Sequence, residues 1–339
     1  MALYVSVKKE GAQKILLELK KEMNIDRTLR VFEKGGEVFI PILKKIKGAF
    51  ELENENGKYS RNLGKPKSVE EALALILPKD ELAKVVNSFD IIGDIAMLEI
   101  PESLVSKEEE IAKAVCIVHR NVKVVAKKEG PMEGAFRTRK MSVIYGEKRT
   151  ETIYVESGAK MKIDIAKVYF SPRLSFERKR IEKLVKDGEN ILALFAGVGP
   201  FPLVIAKKKK CNIVAIELNP EGVRYMRINA KLNKAKMEII EGDVNAIVPE
   251  KYAGFADRVI MPLPKDAEEF LQAAYVGSRD RAIIHFYTFA DIARPFEEAH
   301  EKIYRHLDKS KVEIAGERIV RPFSPRQVQV VVDLRVRKK

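Results

Sequence analysis

Two guanidinium groups and a carboxylate crowd into Ser171-Pro172-Arg173-Leu174-Ser175-Phe176-Glu177-Arg178, about twenty residues before Phe195-Ala196-Gly197-Val198-Gly199-Pro200-Phe201. The second run reads as the turn after a buried strand, where glycines let backbone amides approach a ligand. Pro200 fits the first turn of the helix that follows, where its missing N–H costs little. A dinucleotide site would want a third glycine at position 202, and Pro202 stands there. That excludes the usual NAD fingerprint and favours a cofactor without a pyrophosphate. Two glycines alone fit a structural tight turn equally well. The upstream run adds an acid/base group, Glu177. On spacing alone, Glu177 and Arg180 at (i, i+3) fit a solvated helix face better than a catalytic one.

Two further acids strengthen the ligand reading. Glu217 ends the next strand, where a carboxylate can accept both hydroxyls of a ribose. Asp243 follows Gly242 at the end of the third, where it can take an adenine amino proton. Either acid alone is more often a cap or turn residue. Gly-x-Gly, Glu and Asp on three successive strand ends form a row at which open α/β sheets bind ligands.

The elements that must position this row alternate from residue 190 onward. Strands are expected over 190–195, 212–217, 237–241, 258–261 and 282–289, with helices over 201–209, 220–233, 267–275 and 296–306. Two closing strands, 312–319 and 328–336, give an α/β doubly wound sheet with an antiparallel edge. Residues 69–168 read as an α+β middle domain, with helices over 69–76, 79–86 and 107–118 and short strands between and after them. Residues 1–60 form a small α/β module, with strands at 3–7 and 37–40 around a helix at 12–23. A polar stretch, 61–68, serves as linker. The C-terminal domain then runs over 169–339.

Lys and Arg number 63 against 49 Asp and Glu, a net charge of +14 over 339 residues, which favours an anionic partner, most simply nucleic acid. Through Lys67 the count is 15 against 9, so the small module is itself basic and suits a remote part of a large anionic substrate. The two cysteines, Cys116 and Cys211, have no metal-ligand spacing, so neither a metal site nor a disulfide framework is expected. Cys116 is expected in the core. Early charges argue against a signal peptide and no apolar run is long enough for a membrane span, so a soluble, cytoplasmic protein without membrane partners is expected. His285 sits in an apolar strand and reads as a core residue. His119, His300 and His306 read as surface.

The strand–FAGVGPF–AIELNP–GDV succession, followed by the strand Asp257-Arg258-Val259-Ile260-Met261, resembles the class I S-adenosylmethionine methyltransferases. KVYFSPRLSFER and FAGVGPF narrow this to the archaeal and eukaryotic tRNA guanosine-37 N1-methyltransferases. Phe136-Arg137-Thr138-Arg139, Ile163-Asp164-Ile165-Ala166-Lys167, Ile284-His285-Phe286-Tyr287 and Phe323-Ser324-Pro325-Arg326 continue the likeness, as does the three-part layout with its Rossmann-like C-terminal domain. The first 65 residues match only by position and size.

The resemblance implies S-adenosylmethionine as cofactor and tRNA as partner, with the anticodon loop at the site, the N-terminal module on a remote region, and a monomeric enzyme. Phe195, Gly197, Gly199, Glu217, Asp243 and Arg173 would bind the cofactor, Arg173 also orienting Glu177. Glu177 would be the general base for guanine N1, partly desolvated by Phe176. Arg137 would stabilise charge on O6, Arg139 would bind phosphate, and Tyr169 would pack against the target base. Three departures stand out. Ala193 replaces a family Asp, Glu217 an Asp, and Pro262-Leu263-Pro264 the family Asn-Leu-Pro whose amide would bond the base. Pro262 resembles an archaeal subgroup that also methylates C7 of 4-demethylwyosine, giving isowyosine in tRNA(Phe). Pro262 would open the pocket, and Pro264 would shape the loop beside the substrate. Two alternatives stay open, an aminocarboxypropyl transferase acting on 4-demethylwyosine and a non-catalytic tRNA-binding protein.

Overall fold

Period-two apolar spacing makes Ala2–Lys8 a strand, β1, and apolar residues at helical spacing make Ala12–Lys21 a helix, α1. The computed structural model describes residues 2–22, 24–26, 29–52, 66–74, 77–85, 89–134, 136 and 138–338. After α1 come β2 (Phe32–Lys34), β3 (Glu37–Pro41) and β4 (Ala49–Leu52), giving a sheet of order β2-β3-β1-β4. Leu19 of α1 packs with Val5, Ile40 and Ile42 of this sheet. β2 and β4 are too short and polar to stand out by periodicity. Most of the expected linker, and the C-terminal end of the expected helix at 69–76, lie outside the described residues.

Next come α2 (Val69–Leu73), capped by Ser68, α3 (Lys79–Leu82), β5 (Asp90–Ile92), β6 (Ile95–Leu98), α4 (Glu108–Val118), β7 (Val124–Glu133) and β8 (Thr138–Gly146). These strands run in the order β5-β6-β7-β8. Strands β9 (Glu151–Glu156) and β10 (Ala159–Asp164) form a separate antiparallel hairpin. The turn at Gly93 has φ +59°, and a Cβ there would lie 2.5 Å from the Ile153 carbonyl oxygen, so only glycine fits.

The C-terminal elements are α5 (Ser175–Leu184), β11 (Asn190–Leu194), α6 (Pro200–Ala206), β12 (Asn212–Glu217), α7 (Pro220–Asn233), β13 (Glu238–Glu241) and α8 (Val244–Lys251). They continue through β14 (Ala256–Met261), α9 (Leu271–Gly277), β15 (Ser278–Asp291), α10 (Pro295–His306), β16 (Val312–Ser324) and β17 (Gln327–Val336). The sheet order is β13-β12-β11-β14-β15-β17-β16. The first five strands are parallel, while β17 runs antiparallel to β15 and β16 antiparallel to β17. Chain order therefore turns around between β11 and β14, the place where open sheets of this kind form a ligand crevice at the C-terminal strand ends. One face buries Leu192, Val259, Ile284 and Phe286 with Ala299 and Ile303 of α10. The other buries Ile260, Tyr287 and Val331 with Ile181 of α5 and Phe201 of α6.

The chain divides into two compact units, one of Met1–Phe89, Leu98–Val125 and Ile144–Gly146, the other of Asp90–Met97, Ala126–Val143 and Glu147–Lys339. This division differs from an expected boundary at 168. Pieces of the middle region belong to the second unit, where Asp94 bonds Arg149 and Thr152 and Asp90 accepts from Arg173, long-range contacts that local composition does not report. Helix α8 is not visible in the sequence pattern, since Pro249 lies inside it.

Candidate active site

The parallel register sets Ala193 of β11 beside Ile260 of β14, so Phe195 and Pro262, each two residues further on, flank the crevice. Phe195 has φ +53°, a left-handed conformation that costs a non-glycine residue energy and marks the turn as constrained. Gly197 and Gly199 follow at φ +56° and +88°, and a Cβ on Gly199 would lie 2.9 Å from Met226 Cγ. Glu217 reaches across from β12. Its Oε2 accepts from Gly197 N–H and its Oε1 from Asn219 N–H, each at 2.7 Å. Burial pushes the Glu217 carboxyl above its usual range, and the Asn219 and Gly197 amides offset this only in part. Asp243 is exposed and caps α8, Oδ1 accepting Asn245 N–H at 2.7 Å, so the capping role weighed for it is present. Tyr169 is half-exposed, and its carbonyl lies 3.8 Å from where a Cβ on Gly197 would be, which brings it to the same turn.

Glu177 occupies a different setting. It is 1% exposed, on the buried face of α5 with Arg178 and Ile181, so it is not a solvated helix charge. Its Oε2 accepts from Arg180 Nε and from Tyr287 O–H, both at 2.9 Å. Arg318 Nη1 stands 2.9 Å from Oε1. Arg180 in turn donates to Asp333 on β17, Nη1 at 2.8 Å and Nη2 at 3.3 Å. Asp333 Oδ1 lies 2.6 Å from His285 Nδ1, and Arg258 donates to His285 Nε2 at 2.8 Å. The imidazole therefore carries its proton on Nδ1 and is neutral. Burial holds His285 below its ordinary range even against the pull of Asp333. Burial would raise Asp333, but hydrogen bonds from His285 and Arg180 outweigh it and hold the carboxyl at about 2. Arg258 closes the chain on Glu189, Nε to Oε2 at 2.7 Å.

Several expected placements are corrected. Arg173 is placed on Asp90 and not on Glu177, its Nε donating to Asp90 Oδ1 at 2.7 Å, and its Nη groups remain for a cofactor. Phe176 is 82% exposed, so it does not desolvate Glu177; α5 packing on β15 and β17 does. Pro264 is buried, and its carbonyl accepts Phe289 N–H at 3.1 Å, which anchors the loop instead of facing a substrate. Pro262 is half-buried at the crevice and Arg139 is half-buried on β8. Arg137 lies outside the described residues. Ala193 is buried with Ala196, Ala215 and Met226, an apolar setting in place of the family acid. Cys116 is half-buried instead of core, and Cys211 donates to the Lys186 carbonyl. His119, His300 and His306 are half-buried.

Sequence reasoning gives no part in the site to Arg180, Tyr287, Arg318 and Asp333. Asp333 had a signal, since a lone acid in the apolar strand β17 must find a partner to leave water. Arg258 in β14 carried the same one.

Three family matches tile the chain. The TRM5/TYW2 methyltransferase domain matches residues 152–315, the TYW2 N-terminal domain 69–150, and the tRNA methyltransferase 5 N-terminal domain 5–51. The tRNA (guanine(37)-N(1))-methyltransferase Trm5b of Pyrococcus abyssi is 40% identical over 315 residues, 92% of each chain. The chain belongs to the TRM5/TYW2 methyltransferase family. Another relative, the tRNA (guanine(37)-N(1))/4-demethylwyosine(37)-methyltransferase Taw22 of Nanoarchaeum equitans, is 34% identical and spans 74% of this chain and 96% of its own. The solved complex of aTrm5 and tRNALeu superposes with TM-score 0.72 at 28% identity, covering 99% of this chain and all of that one. TRM5/TYW2 membership agrees with the α/β sheet and with the small N-terminal module. Among the described residues, no helix is long and apolar enough to cross a membrane.

Proposed function

We propose that this chain is an S-adenosylmethionine-dependent tRNA methyltransferase acting at position 37, on N1 of guanosine and on C7 of 4-demethylwyosine in tRNA(Phe). The observation that carries the reading is the row Phe195–Gly199, Glu217 and Asp243 along the strand ends, opening on the crevice that Pro262 borders. The residues fit the cofactor. Glu217 has committed two of its roughly four acceptor positions to backbone amides, leaving others for ribose hydroxyls. Gly197 keeps the turn clear on the ligand side, and Asp243 is exposed at the adenine end.

When bound, the cofactor supplies an electrophilic methyl group. The chain's own residues handle the proton and the charge. Glu177 accepts the proton of guanine N1. Arg137 donates to O6, where negative charge collects. Tyr169 packs against the target base and Arg139 holds a phosphate. Pro262 lacks both an N–H and a polar side chain, so it makes no directional demand and leaves room for a third ring. The basic N-terminal module contacts tRNA away from the anticodon; deleting residues 1–67 should weaken intact tRNA more than an isolated anticodon stem-loop, and equal losses would remove that role.

The dual activity is tested by mass spectrometry of digested tRNA(Phe) offered with guanosine or with 4-demethylwyosine at position 37. Formation of both 1-methylguanosine and isowyosine is expected, with Pro262→Asn keeping much of the first and losing most of the second. Formation of 1-methylguanosine alone, with the tricyclic tRNA bound, would remove the C7 activity.

A further inference from the structure

We infer that Tyr287 and Arg180 are positioning residues that fix Oε2 of Glu177, leaving Oε1 as the atom that takes the proton. The inference rests on the reading of Glu177 as the base. A carboxylate on a helix side chain can rotate about its last bond and present either oxygen. Here Oε2 is held by two donors from two elements, Arg180 Nε of α5 and Tyr287 O–H of β15, each at 2.9 Å. Arg180 cannot follow a rotation, because its other nitrogens are committed to Asp333. Asp333 is pinned in turn by His285, and His285 by Arg258. Tyr287 is fully buried, and that burial with the nearby Glu177 keeps its hydroxyl protonated and donating throughout the neutral range.

Oε1 differs. It is buried without a hydrogen bond among the described residues, and Arg318 Nη1, 2.9 Å away, lacks the geometry of one. The register carries the reason into the sheet: Tyr287 pairs with Val331, and Val331 with Arg318, so the three form one row across β15, β17 and β16. Arg318 is on the edge strand with its side chain 45% exposed, so it can leave toward solvent while the two Oε2 donors stay. In the transfer, the N1–H bond breaks as Oε1–H forms, and the electron pair stays on the ring nitrogen. Among the described residues, the charged and titratable groups facing Glu177 are Arg180, Tyr287 and Arg318, with Asp333 and His285 behind Arg180.

The test is single-turnover methylation of a tRNA bearing guanosine 37, at saturating cofactor, from about pH 5 to 9. Parent, Tyr287→Phe, Arg180→Lys and Glu177→Gln are compared, with cofactor affinity and Tm measured for each. Tyr287→Phe should lower the rate about tenfold and move its acid limb to higher pH, since a donor that favours the ionised carboxylate is lost. Arg180→Lys should move the limb in the same direction, because lysine cannot bond both acids in that geometry. A purely structural role would lower Tm or tRNA affinity and leave the limb in place. Rate profiles of both folded variants that superpose on the parent overturn the positioning role while leaving Glu177 as base. A near-parental rate for Glu177→Gln overturns both. If one variant fails to fold, the other decides.

Discussion

Two carboxylates near the C-terminal edge of one sheet are held in opposite ways. Glu217 is desolvated and answered only by neutral backbone amides, so its carboxyl lies above the ordinary range. Asp333 is half-buried, but charged Arg180 and the N–H of His285 bring it to about 2. The first arrangement leaves acceptor capacity facing a crevice, as a ligand site must. The second spends its capacity inside the protein, as a scaffold must. Glu177 lies between the extremes, with one oxygen spent on scaffold and the other facing the edge-strand Arg318. Opposite charge within hydrogen-bond reach decides which carboxylate is fixed, and its lack decides which can bind.

The sharpest break of this comparison is Glu177→Gln, which keeps shape and removes the base. N1 methylation should fall by about 100-fold or more with cofactor affinity nearly unchanged. A rate within a few-fold of the parent would place Glu177 with the scaffold alone. The converse is Glu217→Ala, which should weaken the cofactor by roughly 1.5–3 kcal/mol, the worth of a charge-assisted pair. Unchanged affinity by calorimetry would put Glu217 with the structural acids.

A smaller effect concerns acid stability. His285 is depressed when folded, so the unfolded chain binds the extra proton and stability falls as pH drops below about 6.5. Asp333 is depressed too, so its contribution is present above about pH 4 and is lost as pH falls toward 2. Glu217, raised when folded, acts in the opposite sense, since its ionisation costs stability as pH rises through its folded pKa. Thermal unfolding at several pH values should therefore show Asp333→Asn losing less stability than the parent between about pH 4 and 2. Parallel losses would mean that the ionic chain does not govern acid unfolding.

Much of the ligand side of this contrast was legible in the residues themselves. Glycines, prolines and strand-end acids obey local rules, and β12 and α7 fall at 212–217 and 220–233 as their spacing predicts. The scaffold side was not. Helix α5 buries Glu177 and Arg178, inverting the apolar face that periodicity looks for; Arg178 is answered by Glu156 of the hairpin, but Glu177 by Tyr287, over a hundred residues away. The segments Asp90–Met97 and Ala126–Val143 fall in the unit of the C-terminal sheet, a membership that side-chain contacts distant in sequence set and local composition does not show. Phe176 shows the reverse error. An aromatic next to a carboxylate suggests desolvation, but helical geometry sends the two side chains to different faces.

The central claim is that this site transfers a methyl group, and no other part of the cofactor, to the base at position 37. The direct measurement is incubation of tRNA with S-adenosylmethionine labelled in one sample on the methyl and in another on the carboxyl. Methyl label alone in the RNA, recovered in 1-methylguanosine, is the predicted result. Carboxyl label in the RNA would mean aminocarboxypropyl transfer, and tRNA that binds but gains neither label would mean a binding protein.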